Sequence, residues 1–166
     1  MFTPVKRIAA IHDLSGYGKV SLTAIIPVLS AMGFQVCPLP TAVLSSNTEF
    51  AGFKLVDLTD HMRDFIEHWK SLNLEFNAIY SGFLGSHRQI EIVEEFIEHF
   101  WRPEQLVVID PVLGDDGRLY DSMTPDMVSQ MKRLIARADI ITPNLTEACA
   151  LLDLDYNEKM GEPALK

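Results

Sequence analysis

Apolar positions along the chain alternate between two patterns. Short continuous runs at 7–12 (RIAAIH), 34–39, 78–80, 106–110 (LVVID) and 139–141 read as strands buried on both faces. Between them, apolar residues recur at helical spacing. The segment 21–32 carries Leu22, Ile25, Ile26, Leu29 and Met32 on one side and stops at Gly33. Pro27 inside it is expected to kink the helix or shift its start. A helix over 57–70 aligns Leu58, Met62, Phe65, Ile66 and Trp69. Ser86 and Gln89 have capping-box spacing, so a helix begins at His87 with the stripe Ile90, Val93, Phe96, Ile97 and Phe100. Thr124-Pro125 reads as an N-cap followed by an N1 proline, ahead of Met127, Val128, Met131, Leu134 and Ile135. A short helix over 144–152 closes the series. Five βα units of this kind predict an α/β fold with a mainly parallel sheet covered by helices.

The connections carry the candidate chemistry. The strand at 106–110 leaves the core through Asp110-Pro111 and enters Gly114, Asp115, Asp116 and Gly117 before Tyr120. It delivers carboxylates to the carboxyl edge of the sheet, where open α/β folds bind ligands; the alternative is an ordinary acidic turn. In Thr142-Pro143-Asn144-Leu145-Thr146-Glu147, Asn144 and Glu147 are spaced as an N-cap and its N3 partner. They also put an amide and a carboxylate at the edge of the sheet, near Asp110 if the strands at 106–110 and 139–141 are neighbours. A few oxygen ligands with waters suit Mg²⁺. Gly16, Gly18 and Lys19 follow the first strand, where backbone N–H groups can cradle an anion. A Walker loop is excluded by Asp13 and Val20, and a dinucleotide fingerprint by Ser21 and by the absence of an acid at the end of QVCPLP. The polar stretch 40–53, with Thr41, Ser45, Ser46, Asn47 and Thr48, is long enough to be functional as a loop.

Composition narrows the classes. A net charge of −9 argues against a general nucleic-acid surface but leaves a local phosphate site open. The two cysteines, Cys37 and Cys149, read as buried thiols of a reducing compartment. His61, His68 and His99 lie on amphipathic helices and read as surface, and His87 starts a helix. His12 ends the first strand, placed either to meet a ligand or to make a structural hydrogen bond. No apolar run approaches the ~20 residues of a membrane span, and MFTPVKR lacks a signal-peptide core. A cytoplasmic location is expected.

The segments IHDLSGYGKVSLTAIIPVLSAMG, PLPTAVLSSNTEF, YSGFLGS, VVIDPVLGDDGRLY and ADIITPNLTEACALL together resemble the pyridoxal/pyridoxamine kinases of the ribokinase-like superfamily. The resemblance implies a three-layer α/β/α kinase domain over 1–166 that is missing its C-terminal part. It implies transfer of the ATP γ-phosphate to the 5′-hydroxyl of a B6 vitamer (pyridoxal, pyridoxamine or pyridoxine) by a homodimer. It assigns Asp13, Thr48 and Phe83 to the vitamer pocket, Phe83 standing where many members have Tyr and Asp13 where several have Ser. Asp110, Asp115, Tyr120, Thr142, Asn144 and Glu147 fall on the nucleotide side, with Mg²⁺ at Asp110 and Glu147.

The family's catalytic base lies in a Gly-x-Gly-Asp segment, and no such segment occurs in these 166 residues. The expectation is therefore a fragment feeble in turnover. Alternatives are a vitamer- or partner-binding fragment without turnover, or a hydroxymethylpyrimidine or sugar kinase of the same superfamily. A sheet cut short also predicts an exposed edge and association into a dimer or higher oligomer.

Overall fold

Strand β1 (Arg7–Ser15) lies inside a six-stranded sheet, and its buried run Ile8–Asp13 explains why it contains almost no polar residue before His12. The computed structural model describes residues 5–157. After β1 come α1 (Leu22–Ala31), β2 (Gln35–Leu44), β3 (Leu55–Asp57), α2 (Thr59–Ser71), β4 (Ala78–Ser81), α3 (His87–Phe100) and β5 (Leu106–Ile109). A two-residue hairpin, β6 (Gly114–Asp115) and β7 (Arg118–Leu119), precedes α4 (Pro125–Ile135), β8 (Ile140–Ile141) and α5 (Leu145–Leu152). The sheet order is β3-β2-β1-β4-β5-β8, with every pairing parallel except β2–β3. The mainly parallel α/β fold expected from the pattern is the one observed. The tail DLDYNEKMGEPALK (153–166) offers no further apolar strand in the sequence, and its residues 158–166 lie outside the described ones.

Right-handed crossovers place the helices. The chain steps from β1 to β2 in one direction through α1, and from β3 to β4, β5 and β8 in the other through α2, α3 and α4, which puts α1 on the opposite face. The larger core lies under α2–α4. There Ala9, Ile11, Leu39, Ile79, Val107 and Ile109 of the sheet meet Met62, Ile66, Ile90, Val93, Phe96, Met127, Met131 and Leu134. Phe76, Phe96 and Phe100 stack on one another with centroids 4.5–5.8 Å apart. The α3 and α4 stripes are buried as predicted, Ile135 only partly; on α2, Phe65 turns out to be exposed, as does Met32 after α1. Across the far edge, Leu106, Ile140 and Ile141 are exposed.

Two boundaries differ from the sequence reading. β2 runs on to Leu44, and β3, which no apolar run announced, pairs with Ala42–Leu44. The long loop expected over 40–53 therefore shrinks to the turn between Leu44 and Leu55. Pro38 and Pro40 are tolerated inside β2 because β3 covers only Ala42–Leu44, so the outer edge of β2 beside both prolines has no ladder to break. Pro27 sits inside α1 without moving its start far from the expected position.

Candidate active site

The direction of winding reverses between β1 and β4. These neighbours send their carboxyl ends to α1 on one face and α3 on the other, which opens a crevice at the switch point. The β1–β2 register slips there: His12 pairs with Pro40 and Leu14 with Val43, so Thr41 and Ala42 together stand against Asp13. Asp13 is buried, and its Oδ2 accepts from Ser15 Oγ at 3.2 Å. Phe83, just past β4, packs half-buried against the core, and its carbonyl accepts from Thr41 Oγ1 at 3.1 Å. Gln89 fixes this segment. Its Oε1 accepts from Gly85 N at 2.8 Å while Nε2 donates to Thr41 O and Thr59 Oγ1. Ser86 caps Gln89 N as its spacing predicted, but the Gln89 side chain reaches Gly85 rather than completing the box.

Thr48 is exposed on the turn after β2, whereas Asp13 is buried. That turn is tied to the glycine loop after β1. Gly16 N donates to Leu44 O, Asn47 N donates to Tyr17 O, and the Tyr17 and Phe50 rings meet at 5.1 Å. At Gly18, with φ +77°, a Cβ would stand 2.9 Å from the Asn47 amide, so this glycine is required by close approach as well as by its backbone conformation.

The residues assigned to the nucleotide side come together more tightly. Asp110 Oδ1 accepts from Thr142 Oγ1 at 3.1 Å across β5 and β8. Asn144 and Glu147 form the full capping box of α5: Asn144 Oδ1 accepts from Glu147 N at 2.9 Å, and Glu147 Oε2 accepts from Asn144 N at 2.8 Å. Both side chains also hold the loop after β5. Glu147 Oε1 accepts from Leu113 N at 3.1 Å, and Asn144 Nδ2 donates to Gly114 O at 2.8 Å. Thr146, which the sequence reading passed over, accepts from Gly117 N at 2.8 Å. Its position at N2 beside the two singled-out residues was the only available signal. Asp115 lies in the hairpin this clasp supports and Tyr120 directly follows it, both exposed.

The electrostatics of this edge are one-sided. Burial pushes the Asp110 carboxyl above its usual range, against the Thr142 hydrogen bond. Burial does the same to Glu147, opposed by its backbone donors and reinforced by the charge of Asp110. The Tyr120 phenol is raised first by burial and then by the charges of Asp115, Glu147, Asp110 and Asp116. Four carboxylates thus act on one phenol. Among the described residues no group of three or more His, Cys, Asp or Glu could hold a metal ion by itself. What the edge does fit is a hydrated divalent cation that takes one or two carboxylates and completes its shell with water and phosphate oxygens, the usual habit of Mg²⁺.

A family model described as phosphomethylpyrimidine kinase matches residues 22–164. The chain belongs to that family. A solved Bacteroides thetaiotaomicron protein, described as a candidate phosphomethylpyrimidine kinase and crystallised with pyridoxal, is 58% identical with a TM-score of 0.94, over 97% of this chain and 56% of its own. Pyridoxal kinase from Lactobacillus plantarum is 36% identical with a TM-score of 0.89, over 97% of this chain and 59% of its own. Pyridoxal kinase from Arabidopsis thaliana is 30% identical across 155 residues, 89% of this chain and 48% of the relative. The ribokinase-like fold expected from the sequence is the fold these structures share. The chain spans about half the length of the curated relatives it matches. No helix among the described residues is long and apolar enough to cross a membrane.

Proposed function

We propose that this chain carries the vitamer-binding and nucleotide-binding sides of an ATP-dependent kinase for the 5′-hydroxyl of a B6 vitamer. The observation that carries the reading is the 58% identity to a protein solved with pyridoxal. Asp13 near the carboxyl end of β1, Thr48 on the turn after β2 and Phe83 just past β4 are the proposed contacts to the vitamer. Asp110, Asp115, Tyr120, Thr142, Asn144 and Glu147 are the proposed nucleotide side, in a single ribokinase-like domain of a cytoplasmic homodimer.

Phosphoryl transfer asks a protein mainly for positioning and for charge stabilisation. Asp110, oriented by Thr142, is the carboxylate with an oxygen to offer Mg²⁺. Glu147 has both oxygens engaged by main-chain donors, so its part in holding the ion would be its negative charge and any water-mediated contact. When bound, Mg²⁺ would neutralise charge on the transferring phosphoryl group. Glu147, Asn144 and Thr146 fix the 113–117 loop, so Asp115 and Tyr120 keep their place beside the phosphates. The resemblance gives proton removal from the vitamer hydroxyl to the aspartate of a Gly-x-Gly-Asp segment that these 166 residues do not contain. Binding is the part of the cycle assigned to the residues present.

Calorimetric titration of the chain tests the reading. Saturable binding of pyridoxal, tighter than that of hydroxymethylpyrimidine, is expected, together with ATP binding that requires Mg²⁺. Preference for the pyrimidine would move the assignment to the other substrate class in the family's name. Absence of binding to any vitamer would refute it.

A further inference from the structure

The β6–β7 hairpin holds Asp115 and leads directly into Tyr120, yet it forms a sheet of its own, unpaired with the main one. Two paired strands this short are marginal in water by themselves, so the hairpin's place depends on what grips it. Its turn is Asp116-Gly117, with φ +49° and +76°, both positive as a type I′ turn requires. Thr146 Oγ1 takes the Gly117 N–H at 2.8 Å. A second grip comes from Tyr156. A Cβ on Gly117 would stand 2.6 Å from Tyr156 Cδ1 and 2.8 Å from Cε1, so the ring lies on the turn in the space a side chain would fill.

The chain after α5 brings that ring into place. The first turn of α5 is the end that holds the hairpin, through Asn144 to Gly114 O and Thr146 to Gly117 N. Its eight residues carry the chain roughly 12 Å away from there. The helix then stops at Asp153, whose left-handed backbone (φ +56°) lets Leu154 N return to Cys149 O. Lys132 of α4 fixes the reversal, its Nζ 2.7 Å from both Asp153 carboxylate oxygens. Four extended residues from Leu152 to Tyr156 span about 13 Å, one length of α5, which is the reach needed to come back to its first turn. Within 152–157, Tyr156 is the one residue withdrawn from solvent. The return segment is spent on delivering this ring to the turn.

We propose that Tyr156 is a positioning residue for the nucleotide side: its ring holds the Asp116-Gly117 turn, and through it Asp115 and Tyr120, where they meet the phosphates. This rests on the kinase reading and deepens it. The ring touches no ligand and acts only through the hairpin. Gly117 is the matching half of the device, since any side chain there would displace the ring. Asp13, Thr48 and Phe83 stand on other loops, so the vitamer side does not depend on this contact.

The test is calorimetric titration of the whole chain, and of Tyr156→Ala, Tyr156→Ser and Tyr156→Phe, with Mg-ATP and separately with pyridoxal. Pyridoxal is the internal control, because a general loss of packing weakens both ligands, and either truncation that melts cooperatively serves. The truncations should bind Mg-ATP about fivefold more weakly, a usual strength for coupling through packed side chains, with pyridoxal affinity unchanged. Tyr156→Phe keeps the ring and should match the wild type with both ligands. Hydrogen exchange at the Asp116 and Gly117 amides without ligand should be faster in the truncations and unchanged in Tyr156→Phe. Wild-type Mg-ATP affinity in the truncations, or a loss shared equally by pyridoxal, would overturn the assignment of Tyr156 and leave the kinase reading intact. A wild type that binds no Mg-ATP would bring down the nucleotide side of that reading, and the inference with it.

Discussion

Glu147 holds Leu113: its Oε1 accepts the Leu113 backbone N–H at 3.1 Å while Oε2 accepts that of Asn144 at 2.8 Å, and the residue is 4% exposed. One side chain therefore caps α5 and anchors the loop that follows β5. The capping and site readings of the TPNLTE segment are two descriptions of one arrangement. The cap makes the helix end a rigid post, and the loop carrying Asp115 is tied to it.

Removing that post should cost stability and loosen the loop together. Glu147→Ala leaves two buried backbone donors without acceptors, a loss of about 2–4 kcal/mol at about 1–2 kcal/mol for each donor. Glu147→Gln keeps one acceptor oxygen for the two donors and should lose less than the alanine variant while still costing stability. Asn144→Ala, which gives up a cap and the Gly114 contact, should lose about 1–2 kcal/mol. Urea denaturation gives the stabilities, and hydrogen exchange at the Leu113 and Gly117 amides reports the loop. Unchanged exchange in a destabilised Glu147→Ala would mean the carboxylate serves α5 alone.

Much of this was legible in the chain, and for physical reasons. Strands buried on both faces must be apolar throughout, and helices on them must be amphipathic, so LVVID and the Ile90–Phe100 stripe could be read at once. The capping spacings of Thr124-Pro125 and of Asn144 with Glu147 are local and were equally plain. β3 was not legible, because an exposed edge strand of three residues has no buried face to impose a pattern. Nor were the Gly82–His12 contact and the Thr146–Gly117 bond. Each joins residues separated by long stretches of chain, and only the register of the sheet or the fold of a loop brings them together.

Gly82 and His12 should prove energetically coupled. Gly82→Ala places a methyl group inside the imidazole, and the ring must move in a packed interior, which costs about 1–3 kcal/mol. In a His12→Ala background the same substitution should be nearly neutral. A double-mutant cycle by chemical denaturation reads the coupling directly. Additive effects would show that the ring has room to move aside.

His12 should also dominate acid unfolding between pH 6.5 and 3. Burial lowers its folded pKa to about 3 from 6.5, outweighing the hydrogen bond to the Tyr80 main chain. In that interval the unfolded chain binds a proton that the folded chain does not, so stability rises with pH. The contribution is complete above about pH 6.5 and is lost as pH falls towards 3, on the order of 5 kcal/mol in all. Asp110 and Glu147 act in the opposite sense. Their raised folded pKa values mean that the native state takes up protons first, so their charging removes stability as pH rises through the carboxylate range. Denaturation midpoints for the wild type and His12→Leu across this range check the assignment, and the variant should show the flatter profile.

Asp110→Asn separates binding from stability. Burial disfavours the Asp110 carboxylate, and its one side-chain hydrogen bond comes from Thr142, which an amide oxygen can also accept. Neutralising it removes a desolvated charge and its repulsion of Glu147, so the ligand-free variant should melt at or slightly above the wild-type temperature at neutral pH. The same change takes away the one carboxylate proposed to face the metal, and Mg²⁺-dependent ATP binding should weaken by about tenfold or more, the effect of losing a charged contact worth at least ~1.4 kcal/mol. Thr142→Val should weaken it less, since the carboxylate stays and loses only its orienting donor. Melting curves with and without Mg-ATP measure both effects in one experiment. A variant that loses thermal stability yet keeps its Mg-ATP shift would show that Asp110 serves the β5–β8 edge rather than the nucleotide.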